Sequence, residues 1–277
     1  RLSLRLRLKP LILTQTDIYW RSSMSEIIAV VNQKGGVGKT TTCINLSASL
    51  GKTKRKVLLV DLDPQSNATR GCGVDPHNIG ANINDVLLAR EGCEAAIIVL
   101  NNTNFSLLPA TPELTESEVK LISSEHKEYT LRNILNTISQ DYDYIIIDCP
   151  PSLNILTVNA LCASSGVIIP VQCEFFALQG LSELMTTIDT IKTNSNEGLC
   201  VKGIIRTMYD PRNNLATDVS MQLLKFFDSQ VYRTIIPRNI TLAEAPSHGM
   251  PVINYDKNSK GALSYLSLVG EIIKQER

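Results

Sequence analysis

The sequence has no excess of charge of either sign: 27 Lys and Arg stand against 27 Asp and Glu in 277 residues. That balance excludes a chain that grips nucleic acid through bulk positive charge, though not one with a local basic face. It contains no run of 18 apolar residues, so no membrane-spanning helix is expected. The seven cysteines (Cys43, Cys72, Cys93, Cys149, Cys162, Cys173 and Cys200) are odd in number, widely spaced and without a C-x-x-C pair. A disulfide framework and a zinc site are thereby disfavoured, and reduced thiols in a cytosolic protein are expected. Repeats, low-complexity tracts and linkers are also missing, so the body reads as one domain. What is present is core-forming material, with 43% hydrophobic and 19% charged residues.

Residues 1–23 stand apart. They hold five basic residues and one acid, together with Trp20, the only tryptophan of the chain. An Arg-rich, acid-poor stretch of this kind reads as a leader or as sequence translated upstream of Met24, without fixed structure. Residues 24–277 carry the fold argument.

Short continuous apolar runs suit strands buried on both faces. Such runs lie at Ile27–Asn32, Val57–Val60, Tyr144–Ile147 and Val167–Val171, with weaker ones at Phe105–Leu108, Val201–Thr207 and Thr234–Ile236. Helical spacing is predicted over Lys39–Leu50, with Gly51 as its stop, and over Thr115–Ser123, Thr130–Ser139, Leu178–Lys192, Leu215–Phe227 and Ala262–Lys274. The alternation implies an α/β, doubly wound, mostly parallel sheet with helices on both faces. Ligands of such sheets sit beyond the carboxyl ends of the strands.

The strongest motif lies at one of those ends. Ile27–Asn32 runs into Gln33-Lys34-Gly35-Gly36-Val37-Gly38-Lys39-Thr40-Thr41, then a helix. This is the strand–loop–helix context in which G-K-[ST] marks a phosphate loop (P-loop). Glycines let successive N–H groups turn toward phosphate oxygens, and the helix adds its positive end. Lys39 can reach the β- and γ-phosphates, and the Thr40 hydroxyl can ligate Mg²⁺. The first glycine of the usual P-loop pattern is replaced by Gln33, and G-x-G-x-x-G is absent, which disfavours a dinucleotide site.

Two further strands end in acids, Val57–Val60 at Asp61-Leu62-Asp63 and Tyr144–Ile147 at Asp148-Cys149-Pro150-Pro151. All three carboxylates should project from the edge that carries the loop. One there can hold Mg²⁺, directly or through water, and another can position an attacking water. Strand-end Asp residues also serve as turn formers and caps, so each alone is ambiguous. Cys149 reads as a packed small residue.

These residues resemble a known family. Lys34-Gly35-Gly36-Val37-Gly38-Lys39-Thr40 is similar to the deviant Walker A motif of the ParA/MinD family of ATPases. The segments VLLVDLDPQSNAT from Val57, YIIIDCPPSLNILTVN from Tyr144, Val167–Leu181 and YRTIIPRNITLAEAPSHGMP from Tyr232 resemble its small chromosomal members, called Soj. The resemblance covers Met24 to the C-terminus. It implies that Lys34 crosses the interface of an ATP-dependent homodimer to the partner's phosphates. It further implies that Asp63 positions water, that Asp148 is the Walker B metal acid, and that Asp61 supports the metal through water. Thr207-Met208 and Pro237-Arg238-Asn239 lie where the family places adenine. Nonspecific DNA and a ParB-like centromere-binding protein are the implied partners. A cytoplasmic, nucleoid-associated location and segregation of chromosome or plasmid origins follow from the same resemblance.

The even charge balance divides by region. Residues 24–277 hold 22 basic and 26 acidic residues, net −4; residues 24–198 are net −7 and residues 199–277 net +3. Arg206, Arg212, Lys225, Arg233, Arg238, Lys257 and Lys260 are candidates for a phosphate-contacting face. Arg212 matches a DNA-contacting arginine of the family, whereas a second such position is Thr241; either Arg238 or Lys257 compensates or the DNA affinity is weaker.

Three rival readings remain at this stage. A MinD-like membrane-cycling ATPase needs an amphipathic C-terminal helix with a basic polar face. The tail from Ser264 has Glu271 and Glu276 against Lys274 and Arg277, and reads instead as core-packed, with no membrane partner expected. An iron–sulfur donor of the superfamily needs paired cluster cysteines. A P-loop ligase or small-molecule kinase needs a second-substrate pocket.

Overall fold

A computed structural model describes residues 25–101 and 103–275. The expectation for residues 1–23 falls outside the described residues. The strands are β1 (Glu26–Val30), β2 (Val57–Asp61), β3 (Ile98–Val99), β4 (Ser106–Leu108), β5 (Tyr144–Asp148), β6 (Gly166–Gln172), β7 (Cys200–Tyr209) and β8 (Val231–Pro237). The helices are α1 (Lys39–Lys52), α2 (Asn67–Gly71), α3 (Ile83–Leu87), α4 (Cys93–Ala96), α5 (Leu114–Ile122), α6 (Thr130–Ile138), α7 (Ile155–Ala163), α8 (Ala177–Asn194), α9 (Asn214–Phe227), α10 (Ile240–Glu244), α11 (Val252–Tyr255) and α12 (Lys260–Gln275).

One sheet carries all the strands, in the order β3-β4-β2-β5-β1-β6-β7-β8. Every pairing is parallel except β3 with β4, a two-residue antiparallel strand at the edge. The expected doubly wound α/β architecture is therefore present. After β5 on one side of β1 the chain crosses to β6 on the other, so the order reverses around β1. The crevice that such a reversal opens lies at the carboxyl end of β1, where the glycine loop begins.

The strands separate two cores by their period of two. Ile27 and Ala29 of β1 face one layer with Leu131, Leu135, Leu156 and Leu181, while Ile28 and Val30 face the other with Ile44, Leu46, Tyr265 and Leu268. The tail helix α12 buries Ala262, Tyr265, Leu268, Val269 and Ile272 in that second layer. Its apolar face is thus spent on the core, as the sequence suggested. Among the described residues no helix is long and apolar enough to cross a membrane.

Gly51 is not the stop of α1: the helix runs through it to Lys52, with Thr53 as cap. The glycine answers a packing need, because a Cβ there would lie 2.4 Å from the Asn104 carbonyl oxygen. An exposed helical Gly→Ala change gains about 1 kcal/mol. Here overpacking against backbone costs about 1–3 kcal/mol. Gly51→Ala should therefore lower the urea midpoint, and an unchanged or higher midpoint would show that the Asn104 loop yields freely.

Candidate functional site

The loop between β1 and α1 is built to leave backbone N–H groups unused. Gly36 and Gly38 take left-handed φ of 74° and 89°, and Gly38 caps α1 without any side chain of its own. The first turn of α1 therefore keeps its donors for a ligand. Thr207 of β7 steadies the loop by donating its hydroxyl to the Val37 carbonyl at 2.7 Å. From below, the Thr42 hydroxyl meets that of Tyr265 of α12 at 3.1 Å.

Lys39 is 7% exposed and donates from Nζ to the Lys34 carbonyl at 3.2 Å. Burial pushes its ammonium below the usual lysine range, while Asp148 pulls the other way. Lys34 itself is half-exposed and ion-paired with Glu174, just beyond β6.

Asp61 and Asp148 end the adjacent strands β2 and β5 as direct register partners. Both are completely buried. Desolvation raises both acids, and for Asp148 the Asp61 charge adds to it, with Thr40 and Cys43 opposing. Their hydrogen bonding differs. Asp61 accepts from the Thr69 amide and hydroxyl at 2.8 and 2.6 Å and from the Asp63 amide at 3.2 Å. Asp148 accepts on Oδ1 from the Cys43 thiol at 3.4 Å, and its Oδ2 has no partner. A buried carboxylate oxygen without a donor is costly unless a ligand completes it. Among the described residues no group of three or more His, Cys, Asp and Glu is placed to hold a metal. One acid and one hydroxyl suit Mg²⁺, which takes few protein ligands and shares the rest with water and phosphate. The donor set of Thr40 and Asp148 fits that ion.

Asp63 follows on the same segment, 7% exposed, with Oδ1 accepting from the Gln65 amide at 2.9 Å. It lines a cavity of about 600 Å³ with Gly35, Gly38, Lys39, Thr40 and Arg70. A second cavity of about 200 Å³ opens on the other side of the loop, sharing Gly36, Gly38 and Thr41. Its walls are Thr207, Met208, Pro237, Arg238, Asn239 and Tyr265. Met208 holds a left-handed φ of 48°, a conformation uncommon for a residue with a side chain.

The sequence expectations therefore meet on one edge for Lys34, Gly35–Thr41, Asp61, Asp63 and Asp148, with Met208, Pro237 and Asn239 beside them. The basic candidates scatter. Arg212 is exposed but held by a two-pronged ion pair to Asp210, at 2.9 and 2.7 Å. Lys257 is exposed. Arg238 lines the smaller cavity. Arg206 must be withdrawn as a surface contact: it is 5% exposed and donates to Ser220 and to the Tyr232 and Arg233 carbonyls, tying β7 to β8 and α9. Cys149 is packed at 1% exposure, and burial pushes its thiol up, as expected of an inert core residue. Glu174, Tyr265, Asp210 and Arg70 were not singled out from sequence. Only Asp210 carried a local signal, two residues before Arg212.

Comparison with known proteins decides the family. An AAA-domain family pattern matches residues 25–201. The sporulation initiation inhibitor protein Soj of Bacillus subtilis is 47% identical over 249 residues, covering 90% of this chain and 98% of that protein. The chromosome partitioning protein ParA of Myxococcus xanthus is 47% identical over 255 residues, covering 92% of this chain and 90% of that one. The chain belongs to the ParA/Soj family of partitioning ATPases.

The same fold recurs in a crystal structure from Mycobacterium smegmatis, named as a cobyrinic acid a,c-diamide synthase with bound ATP analog and magnesium. It is 34% identical, with a TM-score of 0.80, covering 91% of this chain and 96% of that one. Against this ParA/Soj chain, the shared element is the nucleotide fold, while the two names differ in what ATP is used for.

Proposed function

We propose that this chain is an ATP-driven partitioning switch, whose ATP-bound homodimer holds DNA and whose hydrolysis lets go. The observation that carries the ATPase reading is the unpartnered, buried Asp148 Oδ2 beside Thr40, facing a glycine loop with its helix donors free. The base lies in the smaller cavity against Met208, Pro237 and Asn239, and the phosphates cross Gly35–Thr41 into the larger one. Thr40 and Asp148 would hold Mg²⁺, with Asp61 behind through water, and that ion would neutralise charge on the phosphates. Lys39 lies against the β- and γ-phosphates. Asp63 orients a water toward the γ-phosphorus; the water oxygen bonds to phosphorus as the bridging oxygen leaves with ADP.

Lys34 is the arm that crosses to the partner's phosphates. In the single chain it is held by Glu174, an exposed pair worth at most about 1 kcal/mol, so a phosphate can readily take it over. DNA contact rests on Arg212, Lys257 and Arg238. The chain is net −4 over residues 24–277 and binds DNA weakly alone. Joining two weak faces in one rigid dimer raises their effective concentration, so ATP controls DNA binding through assembly. A ParB-like partner accelerates hydrolysis, in a cytoplasmic, nucleoid-associated cycle.

Co-sedimentation with random DNA and with liposomes, each with and without ATP, tests this. ATP-dependent recovery with DNA alone is the expected result. Recovery with liposomes alone would turn the assignment to a membrane-cycling ATPase, and recovery with neither would favour the ligase reading that the M. smegmatis name suggests.

Arg212→Glu should weaken DNA association. Each lost phosphate contact should make the slope of log affinity against log salt shallower by about 0.9. An unaltered slope would move the DNA face elsewhere.

A further inference from the structure

We infer that Arg70 is the second cation of the phosphate cavity and takes the terminal phosphate of a bound nucleoside triphosphate. This rests on the nucleotide reading proposed above and adds a residue to it. Arg70 lies in the last turn of the short helix α2, is exposed and lines the larger cavity, where Lys39 is the other cation and Asp63 the acid. The Arg70 amide donates to the Ser66 carbonyl and its carbonyl accepts from the Gly73 amide, but among the described residues its guanidinium makes no hydrogen bond or ion pair.

Its position is braced on both sides. The preceding Thr69 is bound through amide and hydroxyl to Asp61, and its hydroxyl also accepts from the Ala110 amide at 2.9 Å. The following Gly71 lies so close to α1 that a Cβ there would come within 2.6 Å of Ile44 Cδ1. A long cationic side chain is thus mounted on a fixed turn beside the phosphate loop, with nothing else engaging it.

The two cavities say which end of the nucleotide it meets. The base-sized one on the far side of the loop has no wall from the Asp63–Gly71 segment. The larger one is lined by Asp63, Gln65, Asn67 and Arg70 together with the loop glycines. A nucleotide laid across the shared Gly36, Gly38 and Thr41 with its base in the first cavity extends its phosphate chain into the second. The glycine amides and Lys39 serve the inner phosphates, and the end of the chain falls to the Asp63–Arg70 wall. Because Arg70 and Asp63 sit on one braced segment, capture of the terminal phosphate also registers Asp63 against it. ADP, one phosphate shorter, leaves Arg70 unengaged.

The test is titration of the parent chain, Arg70→Ala and Arg70→Lys with fluorescent ATP and ADP analogues and Mg²⁺, without DNA. Arg70→Ala should lose about tenfold in ATP affinity, the worth of one charge-assisted contact. Its ADP affinity should stay within about twofold, and Arg70→Lys should recover part of the loss because the charge remains. Thermal melting without nucleotide should match the parent. An unchanged ATP-to-ADP ratio in Arg70→Ala overturns the proposal, as does an equal loss for both nucleotides. A parent chain that binds neither analogue overturns the nucleotide reading itself.

Discussion

Lys39→Ala should lose ATP affinity by at least about a hundredfold, the scale of the roughly 3–5 kcal/mol that follows when one partner of a buried charge interaction is removed. The expectation comes from where the ammonium sits. It is 7% exposed, its Nζ donates to the Lys34 carbonyl, and the acids that act on it are Asp148 and Asp63. Burial already pulls its pKa down, so the protein spends stability to keep a cation there. A polyphosphate entering the cavity repays that cost. Without Lys39 it meets three acids, two of them fully buried, and one cation fewer.

The same reasoning says the fold survives. Removing a desolvated lysine relieves its own burial penalty, and the loop geometry rests on Gly36, Gly38 and the Thr207 bond rather than on Lys39. Thermal melting without nucleotide should therefore stay near the parent, while calorimetric titration with MgATP loses its signal. ATP affinity within about threefold of the parent would remove Lys39 from the phosphates.

How far the chain could be read in advance varies with the kind of residue. The phosphate loop was legible because its chemistry is local: glycines, one lysine and one hydroxyl must follow each other between a strand and a helix. The acids were legible because Asp61 and Asp148 each end an apolar run, and a parallel sheet brings such ends together. Their difference was not. Which oxygen stays unpartnered depends on Thr69 curling back to Asp61 and on Cys43 facing Asp148, contacts that strand order creates and periodicity does not encode. The short helices α2, α3, α4, α10 and α11 were missed for a related reason. Five residues or fewer carry too little periodicity to separate from a turn, and tertiary anchors such as Asp61 to Thr69 hold them.

Glycine and arginine were the misleading types. Gly51 looked like a helix stop, but its cause was the Asn104 backbone passing within 2.4 Å of a would-be Cβ. Arg206 looked like a surface cation, yet it follows Ile204 and Ile205 into the sheet and spends its guanidinium on Ser220 and two backbone carbonyls. A charged residue inside an apolar run signals a buried tie more often than a binding face, because an exposed contact does not need apolar neighbours. Applied to residues 199–277, that distinction removes Arg206 and leaves Arg212, Lys225, Arg233, Arg238, Lys257 and Lys260 exposed.

Asp63→Ala should separate binding from turnover. Asp63 hangs on a segment that others hold: Asp61 accepts from its amide and from Thr69, and Ser66 donates to its carbonyl at 2.8 Å. Removing the carboxylate therefore leaves the segment in place and takes away one acceptor facing the cavity. Oδ1 is occupied by the Gln65 amide. Among the described residues Oδ2 has no donor, and it is the oxygen able to orient a water. Loss of a positioned acceptor of this kind lowers hydrolysis by about 10²–10⁴-fold. ATP affinity should hold or rise slightly, because an acid beside a polyphosphate repels it. With binding intact and turnover lost, the ATP-bound form should persist, and a pulse of labelled ATP should stay on DNA-associated protein long after the parent has released it. The matching Asp61→Ala variant should behave differently: it frees Thr69, loosens α2 and costs stability as well as turnover. Parent-like phosphate release from Asp63→Ala would sink the assignment of the water to Asp63. A loss of stability equal to that of Asp61→Ala would reduce Asp63 to a structural turn residue, the ordinary role of an aspartate at a strand end.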